Sequence, residues 1–147
     1  MNVIIFGAPG AGKGTQSQNI VKKFNLHQIS TGDLLRIEIK KKSEIGKKIE
    51  EMINKGELVN DNIVNKILED VVANHNYKNR LIFDGYPRNI TQAESLELIL
   101  NRNNQSINFI LHLKVTREVI EKRILGRIIC EKCNKIMNEY LNKEEVD

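Results

Sequence analysis

Residues 7–15 read GAPGAGKGT, a glycine-rich turn between a short apolar run and a helical pattern. Glycines let the backbone curl until successive N–H groups point inward, the arrangement that cradles phosphate oxygens. A helix N-terminus adds partial positive charge, and Lys13 adds a mobile full one. The usual pattern puts Ser or Thr directly after the lysine. Here Gly14 intervenes and the hydroxyl comes at Thr15, which argues against direct magnesium ligation by Thr15. A second candidate is LIFDGYPR, 81–88, where an apolar strand ends in Asp84 and breaks at Gly85. In open α/β sheets ligands bind along the carboxyl edge, so Asp84 could hold hydrated Mg²⁺ and Arg88 could reach a second phosphate.

Weaker signals surround these two. In STGDLLR, 30–36, Ser30 or Thr31 could cap a helix with Arg36 about one turn in, and alone this is ordinary capping. Arg123 and Arg127 are four apart, hence on one helix face. Like charges at that spacing repel by about a few tenths of a kcal/mol, and a shared anion would reverse the sign. Cys130 and Cys133 are the only cysteines, in CxxC spacing that resembles half of a metal site. A structural Zn²⁺ takes four ligands. His27, His75 and His112 lie in core or helix segments remote in sequence from the pair and read as structural.

Positioning these residues requires strands that alternate with helices. Short apolar runs at 2–6, 80–84 and 107–115 read as buried strands, with a short possible strand at 28–29. Helical patterns cover 13 to about 24, 31–41, 44–54, 61–75, 91–103 and 116 to about 127. Thr91 and Glu94 make a plausible capping box for the fifth of these. The alternation points to a parallel α/β sheet. Residues 30–59 show helices without a convincing strand and read as an insertion. The segment IICEKCNKIMNEYL, 128–141, could form a small hairpin.

A chain of 147 residues is about one domain, and 40% apolar with 29% charged is ordinary for a globular one. The net charge of +4 suits an anionic ligand but is spread over lysines on helix faces. KKKSEIGKK, 40–48, lacks the interleaved aromatics of a nucleic-acid patch. The N-terminal apolar run is too short for a signal core or a membrane span. Two cysteines in this spacing argue against a disulfide framework and for a cytoplasmic location.

GAPGAGKGT, STGDLLR, KGELV, FDGYPRN with TQAE, and RILGR before CxxC, in that order and spacing, resemble the adenylate kinases, in particular the bacterial long form with a zinc-binding lid. The resemblance covers the chain from Met1 to its end. It implies a P-loop NTPase-like fold with a core at 1–29 and 60–125, an AMP-binding insertion at 30–59 and a partial lid at 126–147. The implied reaction is reversible transfer of a phosphoryl group from ATP to AMP, giving two ADP, with Mg²⁺ as cofactor. On that resemblance Gly10, Ala11, Gly12, Lys13, Gly14 and Thr15 hold the ATP phosphates. Arg123 stacks on the ATP adenine, Arg127 grips phosphates from the lid hinge, and the Ile136 and Met137 backbone lines ATP. Thr31, Arg36, Glu57, Leu58, Val59, Gly85, Tyr86, Pro87, Arg88 and Gln92 form the AMP site. Lys13, Asp84, Arg88 and Arg127 carry the catalytic charge. Cys130 and Cys133 form half of a structural Zn²⁺ site that clips the lid. The family continues beyond the point matching Asp147 with a second ligand pair, further arginines, a strand and a helix. The expectation is therefore a C-terminally truncated chain with little or no turnover, a monomer whose partners are AMP, ATP and ADP. Two alternatives stay open, a UMP/CMP-type kinase and a non-catalytic nucleotide-binding fragment.

Overall fold

The computed structural model describes residues 1–57, 59–130 and 136–140. Four strands, β1 (Val3–Gly7), β2 (His27–Ser30), β3 (Leu81–Asp84) and β4 (Phe109–Leu113), form one sheet in the order β2-β3-β1-β4. Every pairing in it is parallel. The helices are α1 (Lys13–Phe24), α2 (Thr31–Lys40), α3 (Glu44–Asn54), α4 (Asp61–Val72), α5 (Ile90–Arg102) and α6 (Arg117–Leu125). A hairpin of β5 (Arg127–Ile129) and β6 (Ile136–Asn138) comes last.

The central strands are apolar at consecutive positions because both faces are covered. Val3, Ile5 and Ile82 pack with Leu26 and with Ile20 and Val21 of α1 on one face. Ile4, Ile29, Leu81 and Phe83 pack on the other against Val64, Leu68 and Val72 of α4 and Leu96, Ile99 and Leu100 of α5. The α4 residues 64, 67, 68 and 72 are all buried, the spacing of one helical stripe. At the amino edge of the sheet Asn2 and Gln105 are buried and fully engaged. Asn2 Oδ1 accepts from the Leu81 N–H (3.1 Å), and Gln105 Oε1 accepts from Asn2 Nδ2 (3.2 Å) and the Asn79 N–H (2.8 Å). Gln105 Nε2 donates to the Val72 carbonyl at 2.9 Å.

The connection from β2 to β3 carries α2 and α3 ahead of α4. Its tight point is Gly46, where an added Cβ would lie 2.1 Å from the Glu38 carbonyl oxygen, so only glycine allows α3 to approach α2 this closely.

Four local expectations need correction. The helix expected over 61–75 stops at Val72, and the Asn74 side chain caps a separate 3₁₀ turn, His75–Tyr77. The helix expected from 91 starts at Ile90. Its cap is Asn89, whose side chain accepts from the Gln92 N–H, so an earlier amide displaces the Thr91–Glu94 box. The last helix ends at Leu125 with Gly126 as its cap. Arg127 then opens β5, so Arg123 and Arg127 do not share a helix face. His112 is exposed on β4, an edge strand whose Phe109, Ile110 and Leu111 are exposed too. His27, by contrast, stacks on Tyr77 at 3.8 Å between ring centroids.

Candidate functional site

Strand register assembles the site. Ile5 on β1 and Ser30 on β2 both pair with Asp84 on β3, and Gly7 pairs with Leu113 on β4. Four strands thus end together, and three segments share their carboxyl edge: the glycine-rich turn, the start of α2, and the 85–88 turn.

The turn enters α1 through Gly12 at φ +93°, a left-handed conformation that costs a side-chain-bearing residue strain. Having no side chain, Gly12 cannot cap α1, whereas Ser30, Ser43, Asn60 and Asn89 cap α2, α3, α4 and α5. The first-turn N–H groups of α1 therefore face the turn without a side-chain acceptor, as anion binding requires. Lys13 folds back over the turn, donating from Nζ to the Gly7 carbonyl (2.7 Å) and the Ala8 carbonyl (3.1 Å). Arg123 reaches in from α6 and donates to the Ala11 carbonyl at 2.9 Å. Gly14 and Thr15 lie exposed on the first turn of α1, and Gly10 is half-buried beside Ile124 of α6.

Asp84 is half-buried. Its Oδ2 accepts from Gln28 Nε2 at 3.0 Å and from Ser17 Oγ at 3.4 Å. Neither partner was singled out in the sequence. Ser17 lies four residues after Lys13, one turn along the same face of α1, which is the signal that could have found it. Gln28 has no such local signal, since its contact depends on the β2–β3 register.

Beyond Asp84, Gly85 turns with φ +78° and Arg88 is exposed, its Nε donating to the Gly85 carbonyl at 2.9 Å. The Arg88 N–H donates to Gln92 Oε1 at 2.7 Å, and Gln92 Nε2 donates to Asp61 Oδ1 of α4 at 2.7 Å. Tyr86 and Pro87 are buried. The Tyr86 hydroxyl lies 2.7 Å from Asn65 Oδ1 and 3.2 Å from the Gln92 carbonyl, with one proton to share between them. Burial first, then the negative charge of Asp61, pushes the Tyr86 phenol up to about 12. Asp61 and Asn65 are further residues that sequence reasoning missed.

At the start of α2 Thr31 is buried, and Arg36 is exposed with Nη2 at 2.5 Å from Asp33 Oδ1. The Arg36 hydrogen bond is the main cause that holds the Asp33 carboxyl below its ordinary value. Glu57 is exposed and Val59 packs against the core; Leu58 lies outside the described residues. Arg127 is exposed, and with Ile136 and Met137 it belongs to the separate β5–β6 sheet, so the main-sheet register does not position them. Asn138 Nδ2 ties that hairpin to the Arg123 carbonyl at 3.1 Å. Cys130 is half-buried, and Cys133 lies outside the described residues. Among the described residues no group of three or more His, Cys, Asp or Glu is gathered to hold a metal ion, and no helix is long and apolar enough to cross a membrane.

The sequence profile of the adenylate kinase family matches residues 5–146. The chain is 55% identical over 147 residues to an adenylate kinase of Pelagibacter ubique (strain HTCC1062), covering 100% of this chain and 69% of that protein. It is 40% identical over 146 residues to an adenylate kinase of Listeria monocytogenes serotype 4b (strain CLIP80459), covering 99% and 68%. An adenylate kinase of Thermosipho africanus (strain TCF52B) is 39% identical over 147 residues, covering 100% and 69%.

Proposed function

Since this chain belongs to the adenylate kinase family of nucleoside monophosphate kinases, we propose that its sheet edge holds ATP and AMP side by side for reversible phosphoryl transfer to two ADP. Such transfer needs little covalent help. It needs two anions aligned and their charge neutralised. Residues 10–15 hold the ATP phosphates with their N–H groups. Lys13 exchanges its two backbone carbonyl partners for phosphate oxygens, a stronger acceptor for an ammonium. Arg123 turns from the Ala11 carbonyl to stack on the ATP adenine, and Arg127, with the Ile136 and Met137 backbone, closes over the same nucleotide. Thr31, Arg36, Glu57, Leu58, Val59, Gly85, Tyr86, Pro87, Arg88 and Gln92 receive AMP, with Arg36 and Arg88 on its phosphate. Closure of the insertion and of the 126–147 lid excludes water as a competing acceptor.

Asp84 fits Mg²⁺. One carboxylate, held by Gln28 and Ser17, suits an ion that takes most of its ligands from water and phosphate. Asp84 would hold the ion, which would supply positive charge to offset that of the phosphates. Zn²⁺ fits less well. Cys130 and Cys133 supply two thiolates where a structural zinc takes four ligands, and no part of the transfer depends on it. The same reading makes the chain a cytoplasmic monomer that engages neither nucleic acid nor membrane.

The observation that carries this reading is the pairing of Ile5 and Ser30 with Asp84, which brings a phosphate-binding turn, a metal-suited carboxylate and an arginine-bearing turn to one edge. Equilibrium titration with AMP, CMP, UMP and GMP in the presence of ATP tests it. AMP should bind tightest; a preference for CMP or UMP would overturn the acceptor assignment.

A further inference from the structure

The Gln92 amide is held at both ends by groups that can act in only one sense. A backbone N–H only donates, and a carboxylate only accepts. The Arg88 N–H therefore requires Oε1 on its side, and Asp61 Oδ1 requires Nε2 on the other, each at 2.7 Å. Turning the amide over would set donor against donor and acceptor against acceptor. The rest of the residue is held as firmly: its N–H donates to Asn89 Oδ1 at 2.8 Å, and its carbonyl lies 3.2 Å from the Tyr86 hydroxyl.

An amide oxygen accepts two hydrogen bonds and an amide nitrogen donates two. With one of each used, Gln92 keeps one acceptor valence on the Arg88 side and one donor valence on the Asp61 side. The complementary base edge carries an exocyclic amino group beside an unprotonated ring nitrogen. Adenine and cytosine have that edge. Hypoxanthine, guanine and uracil present the reverse, a carbonyl beside a ring N–H, and would need the amide turned over.

We propose that Asp61 is a specificity-determining residue that acts through Gln92, locking its amide so that the acceptor site admits amino-bearing bases and rejects keto-bearing ones. The lock rests on the proposed function, in which Gln92 belongs to the site that receives AMP, and adds to it that the free valences of the Gln92 amide meet the base. Asp61 touches no substrate; it is a positioning residue that bridges α4 to α5 across 31 positions of sequence.

Calorimetric titration with AMP and IMP tests the lock, since these two differ only at the edge in question. The parent chain should favour AMP. Asp61→Asn offers either an acceptor or a donor to Gln92, and should shrink the AMP-over-IMP preference about tenfold, or roughly 1.4 kcal/mol, chiefly by strengthening IMP. Asp61→Ala should shrink it as well, so the result does not hang on one variant. Equal weakening of both nucleotides in the two variants would reduce Asp61 to a structural part and overturn the proposal. Gln92→Ala separates the lock from the site it serves. If it weakens AMP selectively while Asp61→Asn leaves the preference intact, the lock alone fails. If Gln92→Ala moves neither nucleotide, or the parent binds neither, the underlying site assignment fails with it.

Discussion

The side-chain amide of Gln28 on β2 donates to the Asp84 carboxylate at the end of β3 across 3.0 Å, inside the edge where both strands stop. A hydrogen bond to a charged acceptor contributes about 1.5–3 kcal/mol when the pair is shielded, and Asp84 is only half-buried. Gln28→Leu should therefore raise the Mg²⁺ concentration needed for tight ATP binding by about threefold to tenfold, or roughly 0.7–1.4 kcal/mol, just below the shielded range. Metal-free ATP binding should be unchanged. The check is an ATP titration at a series of Mg²⁺ concentrations, and an unaltered Mg²⁺ midpoint would count against this positioning role.

Gly12 stands at φ +93°, with the position of its would-be Cβ 3.4 Å from Arg123 Nη1. Gly12→Val adds a branched side chain to a left-handed backbone, at a cost of about 1–3 kcal/mol, and crowds the arginine. ATP affinity should fall at least about tenfold while AMP affinity holds. Parallel titrations of the two nucleotides read this directly.

At the opposite edge, Gln105 serves the Asn79 N–H, Asn2 Nδ2 and the Val72 carbonyl at once. Gln105→Leu removes this partner from the Asn79 N–H and the Val72 carbonyl and leaves Asn2 Nδ2 with the Ser106 carbonyl alone, which costs about 1–3 kcal/mol of stability. Urea unfolding should show that loss, and nucleotide titrations on the folded variant should stay within about twofold of the parent.

Burial pulls His27 below its usual 6.5. Near that pH the unfolded chain binds more protons than the native one, so stability rises with pH through this window. The His27 contribution is fully present above about pH 6.5 and is lost as pH falls through the lowered native value. His27→Phe keeps a ring against Tyr77 and has nothing to titrate. Unfolding curves at pH 7.5 and pH 5 should differ less in this variant than in the parent; an equal acid loss in both would assign the effect to another group.

Much of the fold and the glycine-rich turn into α1 was legible in the sequence because the signals are local. The apolar run at 2–6 is cut by glycine, Lys13 sits where α1 opens, and Asp84 closes an apolar strand. Boundaries failed where one residue outweighs a pattern. Asn89 caps α5 ahead of Thr91, and Gly126 ends α6 before Arg127 can join Arg123 on one face. The supporting contacts were not legible at all. Gln28 meets Asp84 through strand register, and Asp61 meets Gln92 through the packing of α4 on α5. No spacing along the chain announces either of them. The hairpin at the end of the chain was visible as β-type sequence, whereas its relation to the sheet edge is a matter of tertiary arrangement.

The central claim is that one sheet edge holds two nucleotides at once, a triphosphate on the 10–15 turn and a monophosphate on the 85–92 segment. Calorimetric titration of ATP and AMP, singly and then one after the other, tests it most directly when repeated with Lys13→Ala. The account predicts that ATP and AMP bind together, and that Lys13→Ala weakens ATP by more than about tenfold while AMP is unaffected. Mutual competition between ATP and AMP, or equal loss of both in Lys13→Ala, would contradict it.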